Sequence, residues 1–166
     1  LYDVVLHAQA TAIQAMTVGQ SIKAFHQAAV QQLTEGLIDL KIIQGSLESA
    51  LEQKSYLPYY MHGTGHFLGL DVHDVGSYEE NEEPVELTDG MVITCEPGLY
   101  VSQSSEAPTQ YRGIGIRIED DILIRIVYQS WMLFDSDINL WVSSEVIILC
   151  QMCFIFLFCL CDCPLL

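Results

Sequence analysis

Ile114-Gly-Ile-Arg-Ile-Glu-Asp-Asp-Ile-Leu-Ile124 alternates apolar and polar side chains, the two-residue period of a strand with one buried face. Ile114, Ile116 and Ile118 fall on one side and Gly115, Arg117 and Glu119 on the other, so Arg117 and Glu119 share a face opposite the isoleucines. Upstream, Met91-Val-Ile-Thr94 reads as a second, short buried strand, and from Tyr59 onward short apolar runs are separated by Gly, Pro and acids, as in strands and turns. Ahead of Tyr59 the period changes. Residues 2–16 set Leu6, Ala10 and Ile13 at helical spacing, closed by the turn Thr17-Val-Gly-Gln20. Ser21 is an N-cap for a second helix with the stripe Ile22, Phe25, Ala29 and Leu33, and Gly36 stands where a C-cap glycine belongs. Leu37–Gly45 reads as an extended connection, followed by a short helical piece over 46–52, before Pro58. Helices followed by an antiparallel strand set give the α+β class.

The chain has 166 residues, enough for one ordinary domain. With 22 Asp and Glu against 6 Lys and Arg, its net charge of −16 argues against nucleic acid as a partner. An apolar content of 51% excludes a disordered acidic tail. The composition breaks near Arg125: all six cations lie at or before it, whereas five of the six cysteines (Cys150, Cys153, Cys159, Cys161, Cys163) fall in the last 17 residues. One cysteine, Cys95, in the first 125 residues and no basic-then-apolar leader at the start fit a soluble, cytoplasmic domain. Five glutamates within Glu79–Glu86 read as a solvated loop, with a calcium site as the alternative, although the regular spacing of a calcium loop is lacking.

Three of the five histidines, His62, His66 and His73, lie within Met61-His-Gly-Thr-Gly-His-Phe-Leu-Gly-Leu-Asp-Val-His-Asp74. They stand among glycines, which permit close backbone approach to a ligand or a neighbouring strand. Imidazoles beside Asp71 and Asp74 supply N and O donors for Mn, Fe, Co or Zn, though without the helical spacing of a zincin; structural hydrogen bonding is the other reading. Glu96, in Thr-Cys-Glu-Pro-Gly98, is a lone charge directly after a buried strand and needs a partner or a cation. Glu119 sits beside Arg117, and a structural salt bridge between the two is one account of the pair. Two glutamates and a histidine on rigid strands are also what half of a two-metal hydrolase site requires.

In order, spacing and identity, Met61–Asp74, Gly90-Met-Val-Ile-Thr-Cys-Glu-Pro-Gly-Leu-Tyr100 and Tyr111-Arg-Gly-Ile-Gly-Ile-Arg-Ile-Glu-Asp-Asp121 resemble the catalytic C-terminal part of the aminopeptidase P (Xaa-Pro aminopeptidase) group of pita-bread metallopeptidases. The resemblance implies a curved antiparallel sheet covered by helices. It implies two divalent ions, usually manganese, held by His66, Glu96 and Glu119, with Glu119 bridging, and a water between them that attacks the peptide carbonyl. His73 would steady that carbonyl, His62 would contact the proline side, Glu96 would also shuttle the proton, and Arg117 and Tyr100 would hold carboxylates and pocket in place. The substrate would be a peptide with proline second, cut after the first residue, and intact members of the group form oligomers.

The family pattern has five metal ligands, and two of them, aspartates of a strand hairpin, have no counterpart among these residues: Asp3 falls in the first helix and Asp39 just after the second. The expectation is therefore a truncated catalytic domain over 1–124 with an impaired site, or a non-catalytic remnant that binds peptides or partners. Residues 125–166 form an atypical apolar, Cys-rich tail, read here as translated out of register and weakly structured. A membrane anchor at Val146–Cys161 and a cysteine metal cluster are the alternatives, the first lacking flanking cations and the second a matching Cys pair.

Overall fold

The computed structural model describes residues 1–126, 142–143 and 146–156. Helix α1 (Tyr2–Gln14) and helix α2 (Ile22–Asp39) pack on each other, and α3 (Leu47–Glu52) follows. Ser21 caps α2 as expected, its hydroxyl accepting from Lys23 N–H at 3.0 Å, and Ser46, read as the first residue of the short helical piece, caps α3 by accepting from Ser49 N–H at 3.3 Å. α2 buries Ile22, Phe25, Ala29 and Leu33, as its stripe requires. In α1 the buried face is instead Val5, Ala8, Gln9 and Ala12, with Ala10 exposed and Leu6 and Ile13 only half-buried. Both sets have helical period; the one with two alanines lets α2 come closer.

Gly36 shows how close. It lies inside α2, not at its end, and a Cβ built there would be 2.2 Å from Val4 Cγ1. The glycine thus serves helix–helix contact rather than capping, α2 runs on to Asp39, and the extended connection expected over 37–45 begins only as a turn after the helix.

Two short strands, β1 (Glu79–Glu80) and β2 (Glu83–Pro84), form a hairpin where the sequence suggested a loop. Asn81 and Glu82, at φ 52° and 68°, make its two-residue turn. The glutamates remain exposed, in keeping with a solvated run, and Glu79 pairs with Lys23 at 2.5 Å.

The principal sheet is built on β5 (Ile114–Ile124). Along one edge run β3 (Val92–Cys95) and β4 (Gly98–Val101), in a single antiparallel register from Val92↔Leu123 to Val101↔Ile114. Glu96 and Pro97 separate the two strands without shifting that register, so Glu96 falls opposite Glu119. Along the other edge the backbone of β7 (Val146–Phe156) pairs with β5, and β6 (Val142–Ser143) pairs with β7. The side chains of this tail, including Cys150 and Cys153, and the remaining cysteines at 159–163 lie outside the described residues, so the readings of the tail as an anchor or a metal cluster do too. No helix among the described residues is long and apolar enough to cross a membrane.

Helices cover one face of the sheet. Val5, Ala8, Leu33 and Leu37 meet Leu99, Val101, Ile116 and Ile118, while Ala12, Met16, Phe25 and Ala29 meet Ile93, Cys95, Ile122 and Ile124. The strand period carries Asp120 onto this apolar face, where it is 3% exposed and its Oδ1 finds no hydrogen-bond partner among the described residues. Burial, reinforced by the charges of Asp121 and Glu119, pushes its carboxyl up to about 7. A carboxyl whose folded value exceeds its unfolded one stabilises the fold when protonated, and that contribution is lost as pH rises through about 7. Asp120→Asn is therefore expected to gain stability relative to the parent at pH 8, on the order of 2–4 kcal/mol, and to show little gain at pH 4. Urea unfolding midpoints at the two pH values check this; an equal effect at both would contradict it.

Candidate metal centre

The opposite face of the sheet carries Thr94 and Glu96 from the β3 edge and Arg117 and Glu119 from β5. A segment that precedes β3, residues 61–68, lies along it. Thr94 N–H donates to the His66 carbonyl at 3.0 Å, His66 N–H donates to Thr94 Oγ1 at 3.0 Å, and Glu96 N–H donates to the Thr64 carbonyl at 2.7 Å. Gly65 makes this approach feasible, since a Cβ there would be 1.9 Å from the Thr94 carbonyl oxygen. The loop is thereby held against β3 so that His66 projects beside Glu96.

His66, Glu96 and Glu119 each offer a donor atom within 4.8 Å of the others. The His66 Nδ1 faces the Phe67 carbonyl at 3.0 Å, and because a carbonyl only accepts, Nδ1 carries a proton, so that in the neutral imidazole Nε2 presents its lone pair. That lone pair points at Glu96 Oε1, 3.3 Å away, which also accepts from Thr94 Oγ1 at 3.1 Å. An imidazole nitrogen and a carboxylate oxygen this close, with a second carboxylate directly across the strands, form a donor set that a cation satisfies. Burial, and next to it the charge of Glu96, raises the Glu119 carboxyl above the usual carboxylate range. One imidazole and two carboxylates suit a divalent ion of the Mn, Fe, Co or Zn group, so the residues present fit such an ion.

A second chain of contacts braces the first. Arg117 Nη1 pairs with Glu96 Oε2 at 3.3 Å, and Arg117 Nε donates to Tyr100 Oη at 3.1 Å. His62 Nδ1 faces the Gly63 carbonyl at 2.7 Å and so carries its proton there; Nε2, 2.9 Å from Tyr100 Oη, accepts from that hydroxyl. The order of donation is thus Arg117 to Tyr100 to His62. Burial lowers the His62 imidazole and raises the Tyr100 phenol, which keeps the ring neutral and the hydroxyl protonated at neutral pH. The ion pair left open between Arg117 and Glu119 is not the one formed: residues two apart on a strand stand about 7 Å apart, whereas Glu96 lies diagonally across.

His73 is exposed, with its ring edge-on to that of His66 at 4.3 Å between centroids. His62, His66, His73, Glu96, Tyr100, Arg117 and Glu119 are therefore linked through contacts on one face. Asp71 is exposed, and Asp74 accepts from Val75 N–H at 2.9 Å within its own turn; neither belongs to the group that could hold an ion. Sequence reading missed Thr94, two residues before Glu96 on the same strand face, for which the strand period was the available signal. It also missed Thr64, Tyr60 and His26, the last of which reaches Thr64 from 38 positions away.

Residues 1–125 match the model of metallopeptidase family M24. Over 124 residues the chain is 48% identical to Xaa-Pro aminopeptidase of Haemophilus influenzae and 45% identical to that of Escherichia coli, covering 75% of this chain and 29% and 28% of those proteins. Among solved structures, Pseudomonas aeruginosa aminopeptidase PepP superposes with a TM-score of 0.73 at 38% identity. A zinc-substituted E. coli aminopeptidase P in complex with product superposes with 0.71 at 45%. Each alignment covers 75% of this chain and 28% of the solved one. The α+β architecture is thus that of the pita-bread aminopeptidases P, and the chain spans under a third of the length of these relatives. The family match over three quarters of the sequence, with a fold shared at close to half identity, leaves one assignment: this chain belongs to metallopeptidase family M24.

Proposed function

We propose that residues 1–124 are part of the catalytic domain of a metalloaminopeptidase that removes an N-terminal residue preceding proline, with 125–166 as a compositionally separate tail. The observation that supports this reading most is the convergence of His66, Glu96 and Glu119 within 4.8 Å, two of them like charges directly opposed across the sheet. Manganese is the proposed ion. Held there, a divalent ion lowers the pKa of a coordinated water and offsets the negative charge that develops on the peptide oxygen.

The residues of the chain do the rest. Glu96 sits where it can accept a proton from an attacking water and pass it to the leaving amine, as a general base must. Arg117, on the other Glu96 oxygen, keeps that carboxylate turned toward His66. The exposed His73 is placed to donate to a substrate carbonyl, and the neutral His62, backed by Tyr60 and Tyr100, offers a ring face for an apolar proline. The buried thiol of Cys95 fits the reducing, cytoplasmic setting proposed for the protein. An incomplete set of carboxylate ligands holds hard ions weakly, so the 166-residue chain on its own is expected to bind manganese weakly and to show no proline-dependent turnover.

The test is a chimera in which residues 1–125 replace the matching segment of the H. influenzae relative. It should cleave an Xaa-Pro peptide, and Glu119→Gln within it should slow cleavage at least about 100-fold. A chimera that folds and binds manganese yet leaves the peptide intact contradicts the catalytic reading and favours a peptide-binding remnant. Turnover by the 166-residue chain alone would overturn its proposed impairment.

A further inference from the structure

Thr64 stands midway between His62 and His66, is 1% exposed, and uses both ends of its residue. Its carbonyl accepts from Glu96 N–H at 2.7 Å, while its Oγ1 lies 2.8 Å from His26 Nδ1 and 2.6 Å from Tyr60 Oη. His26 belongs to α2. The tyrosine ring in turn touches both imidazoles, with centroids 6.0 Å from His26 and 4.8 Å from His62. A helix, the histidine loop and the residue that follows β3 are therefore joined at one threonine, the first two through its hydroxyl and the third through its carbonyl.

Gly63 and Gly65 flank Thr64 and give the loop little rigidity of its own. Its shape between the two histidines must then come from what Thr64 holds. The geometry points to Thr64 and His26 as positioning residues: the His26–Thr64–Tyr60 hydrogen bonds fix the loop so that the His62 and His66 rings keep their orientation toward Tyr100 and Glu96. This inference rests on the proposed peptidase reading only for its consequence in metal binding; the ring orientation itself concerns the metal-free chain. The hydroxyl can satisfy both partners, accepting from the tyrosine and either donating to or accepting from Nδ1. Valine in its place has the same shape and neither capacity.

The experiment follows the histidine ring nitrogens of the metal-free chain by NMR. Thr64→Val and His26→Phe should shift and broaden the His62 and His66 ring signals and mix their tautomers. Thr64→Ser, which keeps the hydroxyl, and His26→Asn, which keeps a polar group near the Nδ1 position, should retain the parental pattern. Manganese affinity, measured well below the melting temperature, should fall about tenfold in the first pair and within twofold in the second. Unchanged His62 and His66 signals in both Thr64→Val and His26→Phe would overturn the inference. A parent chain that binds no manganese would contradict the proposed function instead, and the ring signals would still decide this one.

Discussion

Glu119→Gln is expected to move two properties of this chain in opposite directions: it should stabilise the metal-free fold and lower manganese affinity at least about 100-fold. Glu119 stands across the sheet from Glu96, and like charges directly opposed on neighbouring strands cost about 0.2–1 kcal/mol. Its carboxyl is held above the usual range by burial first and by Glu96 next, so removing the charge removes that conflict. Arg117 keeps its ion pair with Glu96, and its attraction to Glu119 is a smaller influence on that carboxyl than burial and the Glu96 charge. The amide keeps the shape of the side chain and one oxygen, but removes one of the two negative charges that hold a divalent cation in this set of three. Thermal unfolding of both chains without metal, and calorimetric titration with manganese, check the pair of effects. A Glu119→Gln variant less stable than the parent and equal to it in affinity would show that this carboxylate has a structural task instead.

Gly65→Ala should be the most damaging single methyl group in the loop. The added carbon would be 1.9 Å from the Thr94 carbonyl oxygen and 2.9 Å from its carbon, both backbone atoms that cannot swing aside. The loop must lift from β3, which lengthens the His66–Thr94 and Thr64–Glu96 hydrogen bonds and withdraws the imidazole from Glu96. Overpacking of this kind costs about 1–3 kcal/mol, or roughly 3–10 °C in melting temperature for a chain of this size. Manganese affinity should fall in parallel. Gly63→Ala is the control two residues away: the nearest atom to its Cβ would be 3.8 Å off, an ordinary contact, and its effect should stay within about 0.5 kcal/mol. Equal effects at the two glycines would mean that close approach to β3 is not what the loop requires.

The parts of this molecule legible in its sequence are those governed by a local period. The alternation in β5 placed Arg117 and Glu119 on one face, and the N-cap and stripe of α2 are where spacing put them. Periodicity failed where two readings share the same period. The α1 stripe could be Leu6, Ala10 and Ile13 or Val5, Ala8 and Ala12, and only the close passage of α2 at Gly36 selects the second. A glycine that ends a helix and one that admits a neighbouring helix look alike until the neighbour is known. The same holds for Asp120: the strand period that puts Glu119 on the open face puts the next acid under the helices, where its Oδ1 has no hydrogen-bond partner among the described residues.

At the candidate centre, the resemblance carried by the three motifs implied His66, Glu96 and Glu119, and the structure brings their donor atoms together. What spacing could not show is the bracing. Thr64 and Thr94 lie inside the quoted motifs, but their roles depend on contacts with residues as many as 38 positions away, as for His26 on Thr64.

Manganese is paramagnetic, and it broadens the NMR signals of whatever side chain it approaches even when it binds weakly. Substoichiometric manganese added to the parent chain should erase the ring signals of His66 and its neighbour His73 first, leave those of the exposed His7 on α1 sharp, and lose this selectivity in Glu119→Gln. Broadening of His7 together with His66, or a selectivity that survives in that variant, would contradict a divalent-ion centre formed by His66, Glu96 and Glu119.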